Sequence, residues 1–241
     1  HYKDQWARAF DMSYQDENGN TQYCHQTTYG MSERLLGAVV GMHGDDNGLI
    51  FPSEIAPIQV VLMPVAAHKN PAVTEIVSEL YSTLRDAGYR VKVDDRDLRP
   101  GQKYWDWEIK GVPLRLEIGP RDIEKGTAFA ARRTGGKEPI EIEDIVNGVN
   151  NQLSIVDAEL RSRSLEHVRD CVISLESLDQ DILDGHIYEV AFDGSDADAE
   201  ILEKSTGLAI LGDSLDEYIE DRVCIVSGKT TRRKQHLAKM Y

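Results

Sequence analysis

No stretch of the chain reaches the roughly eighteen consecutive apolar residues that a membrane-spanning helix needs. The sequence therefore predicts no membrane partner. Cysteine is scarce: Cys24, Cys171 and Cys224 are the only three, widely spaced and without a Cys-x-x-Cys pair. An odd, scattered set argues against a disulfide framework and for a reducing, cytoplasmic setting. By itself that spacing defines no metal site. The start also lacks an initiator methionine and the features of a secretion signal. His1–Phe10 (HYKDQWARAF) is charged and aromatic, with no long apolar segment and no small-residue cleavage site. Those residues read like the interior of a domain and predict a piece of a longer protein.

Positive charge is in deficit as well. The chain holds 27 Lys and Arg against 42 Asp and Glu, a formal net charge of -15. Phosphate contacts need cations, so the total argues against a general nucleic-acid binder. The acidic remainder fits a halophile, kept soluble in salt by surface carboxylates, and equally an ordinary solvated surface. The distribution is uneven, however. Between Arg96 and Lys137 stand ten Lys and Arg against six acids. From Lys229 to Tyr241 the segment holds Lys229, Arg232, Arg233, Lys234 and Lys239 and no acid. Both stretches are expected to offer patches to a polyanion.

Hydrophobic residues, at 41% of 241, suffice for one large domain or two small ones. Met12–Gln26, centred on the turn signal Asp16-Glu17-Asn18-Gly19-Asn20, reads as a β-hairpin. Leu35, Leu36, Val39 and Val40 set a helical period from about Ser32. Gly44–Gly48 is a tight loop, and Leu49–Phe51 a short strand ended by Pro52. Ile58–Pro64 (IQVVLMP) predicts a buried strand. Asn70 caps a helix with Pro71 in its first position; Val73, Ile76, Val77, Leu80 and Leu84 form its apolar face, and Gly88 ends it. With the strand Tyr89–Val93 this is a β-α-β unit of parallel strands. Pro100-Gly101 reads as a turn, Tyr104–Lys110 as a helix, and Leu114–Ile118 and Thr127–Arg132 as strands parted by a Gly119-Pro120 turn. Ile142–Arg169 predicts a long helix broken near Gly148. A small α+β unit follows: a helix near Leu175–Leu183, a strand His186–Phe192, a helix Ala197–Ser205 and a strand Arg222–Val226.

Three stretches carry a resemblance. Gln26-Thr27-Thr28-Tyr29-Gly30-Met31-Ser32-Glu33-Arg34-Leu35-Leu36-Gly37-Ala38, followed by His43-Gly44-Asp45-Asp46-Asn47-Gly48-Leu49, is similar to the third signature motif of class II aminoacyl-tRNA synthetases. Arg99–Lys103 with Asp106–Asp122 (DWEIKGVPLRLEIGPRD) is longer and more specific, and Leu237–Tyr241 resembles the family's terminus. Together they resemble the prolyl-tRNA synthetases of the archaeal and eukaryotic type. The resemblance implies an α/β fold: residues 1–56 as the end of a class II catalytic antiparallel sheet and 57–140 as an anticodon-binding domain with a mixed sheet flanked by helices. It makes 141–170 a connecting helix and 171–241 a small α+β domain with a degenerate zinc site. It also implies ATP with Mg, L-proline and tRNA(Pro) as ligands, and a homodimer in the intact enzyme. The first two class II motifs would precede His1, so the chain alone is expected not to aminoacylate.

Activation of an amino acid brings its carboxylate to the α-phosphate of ATP, and fixed cations must stabilise the charge. A guanidinium can stack on adenine and fork onto phosphate. The resemblance gives this role to Arg34, with Ser32 hydrogen-bonding beside it, and places His1 near the prolyl group. RNA sequence is read on unstacked base edges. Proline anticodons end in two guanines, whose Watson–Crick donors suit a carboxylate and whose O6 and N7 suit Arg or Lys. The resemblance puts Glu108, Arg115 and Lys137 on those guanines, with Arg121 as a further contact. The competing reading makes Glu108 and Arg115 a surface ion pair, worth little. Trp105 and Trp107 suit either base stacking or burial.

The family's appendix often carries a four-cysteine zinc site. The matching positions here are Asp193, Asp198, Cys224 and Ser227, and one thiolate cannot supply an S₄ shell, so no zinc is expected. Packing through Ile187, Val190, Ile201, Leu202 and Val223 is expected instead, with Asp193 and Asp198 solvated. Tyr241 matches the family's terminal tyrosine, whose carboxylate would reach the active site. A stand-alone RNA-binding module without catalysis is the alternative function; a nucleotide- or protein-binding α/β domain is the third, and predicts no tRNA affinity.

Overall fold

The computed structural model describes residues 1–67 and 70–240; the expectation for Tyr241 lies outside them. The first segment holds α1 (Gln5–Ala9), the antiparallel hairpin β1 (Ser13–Gln15) and β2 (Thr21–Tyr23), and α2 (Arg34–His43). Asp16 closes the hairpin by accepting the N–H groups of Asn18 and Asn20, each at 2.9 Å. The apolar residues Leu35, Leu36, Val40 and Met42 of α2 are exposed.

Next come β3 (Val60–Pro64), α3 (Pro71–Asp86), β4 (Val91–Val93), α4 (Pro100–Ile109), β5 (Leu114–Ile118), α5 (Pro120–Glu124), β6 (Thr127–Arg132) and β7 (Lys137–Glu141). They build a five-stranded mixed sheet in the order β4-β3-β5-β6-β7. The first three strands run parallel, and β6 and β7 antiparallel. β3 is buried on both faces because helices cover both, which is why its sequence is apolar without alternation. Val60 and Leu62 pack with Val73, Val77, Leu80 and Leu84 of α3, while Val61 and Met63 pack with Trp107 of α4. Asn70 caps α3, its side chain accepting the Ala72 N–H at 3.1 Å, with Pro71 in the first turn.

Several expectations are corrected. Pro100-Gly101 is no turn but the start of α4, since proline's fixed φ and missing N–H suit a first helical turn. Gly119-Pro120 opens the short helix α5, where Asp122 accepts the Gly119 N–H at 2.9 Å. β7 was not foreseen: KEPIE contains a proline and buries only Ile140, as an edge strand can. Leu49–Phe51 joins no sheet. Its backbone docks on the end of α4 instead, with Leu49 N–H donating to the Ile109 carbonyl at 3.1 Å and Phe51 N–H to Gly111 at 3.2 Å.

Helix α6 (Ile145–Cys171) runs unbroken through Gly148. A Cβ at Gly148 would lie 3.2 Å from Cβ of Ile140, so the glycine serves close packing rather than a break. Ile145, Val149 and Leu153 enter the core beneath the sheet, whereas Val156 and Leu160 cluster with Ile50.

The last unit contains β8 (Val172–Ser174), β9 (Ile187–Ala191), α7 (Asp196–Thr206), β10 (Ala209–Asp213), β11 (Arg222–Val223), β12 (Thr230–Thr231) and β13 (Lys234–Ala238). Four of these strands form a sheet in the order β10-β13-β9-β8. Leu175–Leu183 is a loop, not a helix; Gln180 ties it down by bonding to Ser174 and Glu176. The strand expected to reach Val226 stops at Val223, where the chain turns to bury Cys224. Of the five expected core residues, Val190 and Leu202 are buried, but Ile201 and Val223 are exposed. Tyr188, Phe192, Leu208 and Leu237 complete the core. Four of the five cations near the terminus are ion-paired: Arg232 with Asp221, Arg233 with Asp193 and Asp213, Lys234 with Glu189, and Lys239 with Asp184.

Gly48 and Gly111 lock the docked loop. Gly48 has φ +127°, and a Cβ there would lie 2.6 Å from Cα of Ile109. At Gly111, φ +71°, it would lie 2.7 Å from Cβ of Leu49. Gly88, φ +91°, has open space around it. Gly88→Ala is expected to cost only backbone strain, about 1–2 kcal/mol, and Gly48→Ala clearly more, because it adds a backbone clash to that strain. Urea unfolding of both variants checks this; equal losses would rule out the clash.

Candidate nucleic-acid interface

Strand β5 sorts its residues by parity. Leu114, Leu116 and Ile118 go into the core beneath α3, so Arg115 and Glu117 face the side of α4. The register continues this face across the sheet. Arg115 stands beside Ala131 of β6, and Ala131 beside Lys137 of β7; Glu117 stands beside Phe129, and Phe129 beside Pro139. The small Ala131 leaves room over the sheet between the two cations.

The side chains on this face form one network. Arg115 Nη1 donates to Glu108 Oε1 at 3.2 Å and Nε to Glu117 Oε1 at 3.2 Å. Lys137 Nζ donates to Glu117 Oε2 at 2.6 Å. The Arg115 guanidinium lies 4.1 Å above the Tyr104 ring centroid, and Lys137 Nζ 5.3 Å from that of Phe129. Glu108 and Lys137 are 40% and 46% exposed, whereas Glu117 is 10% exposed. Burial raises the Glu117 carboxyl pKa, but Lys137, Tyr104 and Arg115 outweigh it and hold it below the ordinary value. Tyr104 is pushed up to about 12 by burial and by the Glu117 charge.

Glu108, Arg115 and Lys137 are thus brought together, and the surface ion pair between Glu108 and Arg115 is part of the same cluster. Arg121 is not joined to it; α5 packs against β6 and α3. Glu117, Tyr104 and Phe129 were missed as members. The alternation in Leu114-Arg115-Leu116-Glu117-Ile118 was the readable signal, since two polar residues at i and i+2 share a face.

Beside the cluster, Asp94 anchors the same stretch of α4 through the neighbouring residues Lys103 and Trp107. It is buried, accepts Trp107 Nε1 at 2.7 Å, and accepts Arg96 Nε and Nη2 at 2.8 and 2.7 Å. Lys103 Nζ bonds to its backbone carbonyl at 3.0 Å. Trp107 is therefore a core residue, and Trp105, 62% exposed, keeps the stacking option. A cavity of about 830 Å³ lies next to this anchor, lined by Met63, Tyr81, Arg96, Lys103 and Tyr104 among others.

Arg34 begins α2, and its N–H donates to Ser32 Oγ at 3.4 Å; both residues are exposed. His1 packs edge-on against His25 at 5.7 Å and accepts the Lys3 N–H. No hydrogen bond or ring contact links His1 to Ser32 or Arg34 among the described residues. In the last unit, Cys224 Sγ accepts the N–H groups of Asp193 and Ser227, each at 3.4 Å. Burial raises that thiol's pKa, but these amides hold it below the ordinary value. The two carboxylates are not simply solvated. Asp193 pairs with Arg233, and Asp198 is spent on the Ser195 cap of α7. That donor set, one thiolate and engaged carboxylates, does not fit a tetrahedral zinc.

Residues 59–152 match the family described as Anticodon binding domain. Over the full chain the sequence is 37% identical to the proline–tRNA ligase of Methanococcoides burtonii, covering 51% of that protein. It is 45% identical to that of Thermococcus kodakarensis over 74% of this chain and 38% of the relative. The fold superposes on Giardia lamblia prolyl-tRNA synthetase with a TM-score of 0.88, at 27% identity over 99% of this chain and 54% of that one. The chain corresponds to the C-terminal portion of the prolyl-tRNA synthetases. It spans about half the length of the curated relatives it matches. A synthetase from Cryptosporidium parvum aligns as well, with a TM-score of 0.86 at 27% identity over 99% of this chain and 51% of that one. The mixed sheet and its flanking helices are the class II anticodon-binding arrangement expected from the sequence.

The Asp94 anchor has a pH signature. Burial pushes this carboxyl up, but the Arg96 and Trp107 hydrogen bonds prevail and hold it at about 2, below 3.8. The unfolded chain then binds the proton more tightly. The stabilisation is complete above about pH 5 and is lost as pH falls through about 2. Asp94→Asn is expected to be less stable than the parent near neutral pH, with the gap closing on acidification below about pH 4. Urea midpoints across pH check this, and a gap of constant width would overturn it.

Proposed function

We propose that this chain is the part of a proline–tRNA ligase that reads the anticodon of tRNA(Pro) and carries the motif 3 arginine of its nucleotide site. The observation that carries the reading is the joint placement of Glu108, Arg115 and Lys137 on one face of the sheet, within the segment that matches the anticodon-binding family. Oε2 of Glu108 has no protein partner among the described residues and can accept guanine N1–H or N2–H. Arg115 Nη2 and the spare N–H groups of Lys137 can donate to O6 and N7. Unstacked loop bases present these edges.

In the whole enzyme the reaction joins the proline carboxylate to the α-phosphate of ATP with release of pyrophosphate, then transfers the prolyl group to tRNA. Arg34, an exposed permanent cation at the start of α2, would offset charge on the nucleotide, with Ser32 holding the turn before it. His1 is assigned to the prolyl end. The Giardia lamblia relative was solved with prolyl-adenylate. Magnesium would accompany the phosphates of ATP; among the described residues no group of three or more His, Cys, Asp or Glu is placed to hold a metal ion. A homodimeric, cytoplasmic enzyme completes the reading. No helix among the described residues is long and apolar enough to cross a membrane.

A second reading is a non-catalytic RNA-binding module. It is favoured by the sheet domain having its own core, closed by α3 and the first half of α6. The two readings part on Arg34. In the complete reading frame, Arg34→Ala should lower proline–tRNA ligation about a hundredfold or more, as losing one charge-stabilising donor does. Unchanged ligation would remove Arg34 from the chemistry. For RNA, Glu108→Ala and Arg115→Ala should weaken binding of a hairpin with the proline anticodon about ten- to hundredfold. Hairpins with adenines in place of the two guanines should be affected less than about threefold, as measured by fluorescence anisotropy. Equal loss on every hairpin would reduce these residues to phosphate contacts.

A further inference from the structure

We infer that Glu117 is a positioning residue for base selection: it reads no base itself but fixes the two cations that do. The inference rests on the anticodon reading above. Three observations carry it. First, Glu117 is the least exposed acid of the cluster, at 10%, against 40% for Glu108. Second, its bonding capacity is spent inward. Oε1 takes Arg115 Nε and Oε2 takes Lys137 Nζ, so each carboxylate oxygen is tied to one of the two cations. The outer groups show the opposite pattern, because Glu108 Oε2, Arg115 Nη2 and two hydrogens of Lys137 keep donors or an acceptor to spare. Third, the bonds constrain orientation. Arg115 is gripped at Nε by Glu117, at Nη1 by Glu108 and on its face by Tyr104, 4.1 Å below. A guanidinium held at those three points has one edge left to present, at a fixed angle. Lys137 has no comparable fork and sits on an edge strand. Its ammonium takes a defined place because Glu117 holds it at 2.6 Å.

Charge supports the same assignment. Arg115 and Lys137 stand two strands apart, on either side of Ala131, with their cationic ends bonded to the two oxygens of one carboxylate. With that charge removed, the cations repel each other, and Lys137 is free to follow phosphate rather than a base edge. Base selection then falls while attraction to RNA remains.

The test uses this 241-residue chain and RNA hairpins carrying the proline anticodon or its two single guanine-to-adenine changes. Glu117→Gln keeps the shape and removes the charge. The guanine-over-adenine affinity ratio is expected to fall about tenfold or more, with binding of the adenine hairpins within about twofold of the parent and an unfolding midpoint near the parent's. On an Arg115→Ala background the further drop in the ratio is expected to be small, since Glu117 acts through Arg115. A structural defect would instead add in full. A Glu117→Gln ratio within about twofold of the parent, while Glu108→Ala and Arg115→Ala lose theirs, overturns this inference and leaves the anticodon reading standing. If all three keep their ratios, the anticodon reading itself falls. Uniform weakening on all hairpins with a lowered midpoint also overturns the inference. Should Glu117→Gln not fold, Glu117→Asp decides: its carboxylate is one methylene short of spanning both cations, and an undiminished ratio overturns the proposal.

Discussion

Strand β5 must satisfy two environments at once. Its even-numbered residues, Leu114, Leu116 and Ile118, close the core against α3 and α6; its odd-numbered ones, Arg115 and Glu117, are buried to different depths under α4. A shift of one position would put a guanidinium and a carboxylate into the apolar core, where unpaired charge is very costly, and leave the leucines outside. The hydrophobic face therefore sets the register that places the polar face. The geometry of the Glu108, Arg115, Glu117 and Lys137 cluster follows from the packing of leucines and an isoleucine on the opposite face.

The rest of the cluster depends on that register. Phe129 and Ala131 are opposite Glu117 and Arg115 because β6 is antiparallel to β5, and Lys137 and Pro139 come next because β7 is antiparallel to β6. α4 lies across the same face, held by Asp94, whose carboxylate accepts from Trp107 and whose carbonyl accepts from Lys103. Glu108 and Tyr104 meet Arg115 only because that helix is anchored. An acidic chain can thus still present clustered cations on one face, since they are concentrated by topology rather than by composition.

Much of this was legible in the sequence. The β-α-β unit, the Asn70-Pro71 cap and the hairpin around Asp16 follow from local chemistry that tertiary structure did not override. The family resemblance pointed to Glu108 and Arg115, which lie in DWEIKGVPLRLEIGPRD, and to Lys137 beyond it. What stayed hidden was non-local. β7 has weak strand propensity and exists because β6 offers it an edge. β10 and β13 pair across more than twenty residues of chain, and no local signal reveals that partner. Glu117 went unnoticed because a carboxylate between Leu116 and Ile118 looks like an ordinary strand residue until its two cations are seen. The terminal basic run misled for a related reason: its acids come from Glu189, Asp193, Asp213 and Asp221, distant in sequence. Gly148, taken as a break, is a contact point whose meaning depends on Ile140.

Arg133 is 5% exposed, yet it grips both Asp45 Oδ atoms with its fork and the Glu108 carbonyl with Nε, at 3.0 Å. Asp45 follows α2, the helix that begins with Arg34, and Glu108 belongs to the cluster around Arg115. The amides of Leu49 and Phe51 add bonds to the carbonyls of Ile109, the last residue of α4, and Gly111, just beyond it. Arg133 thus rivets the loop after α2 to the C-terminal end of α4, so residues 45–51 and the Glu108 turn are built on one set of contacts.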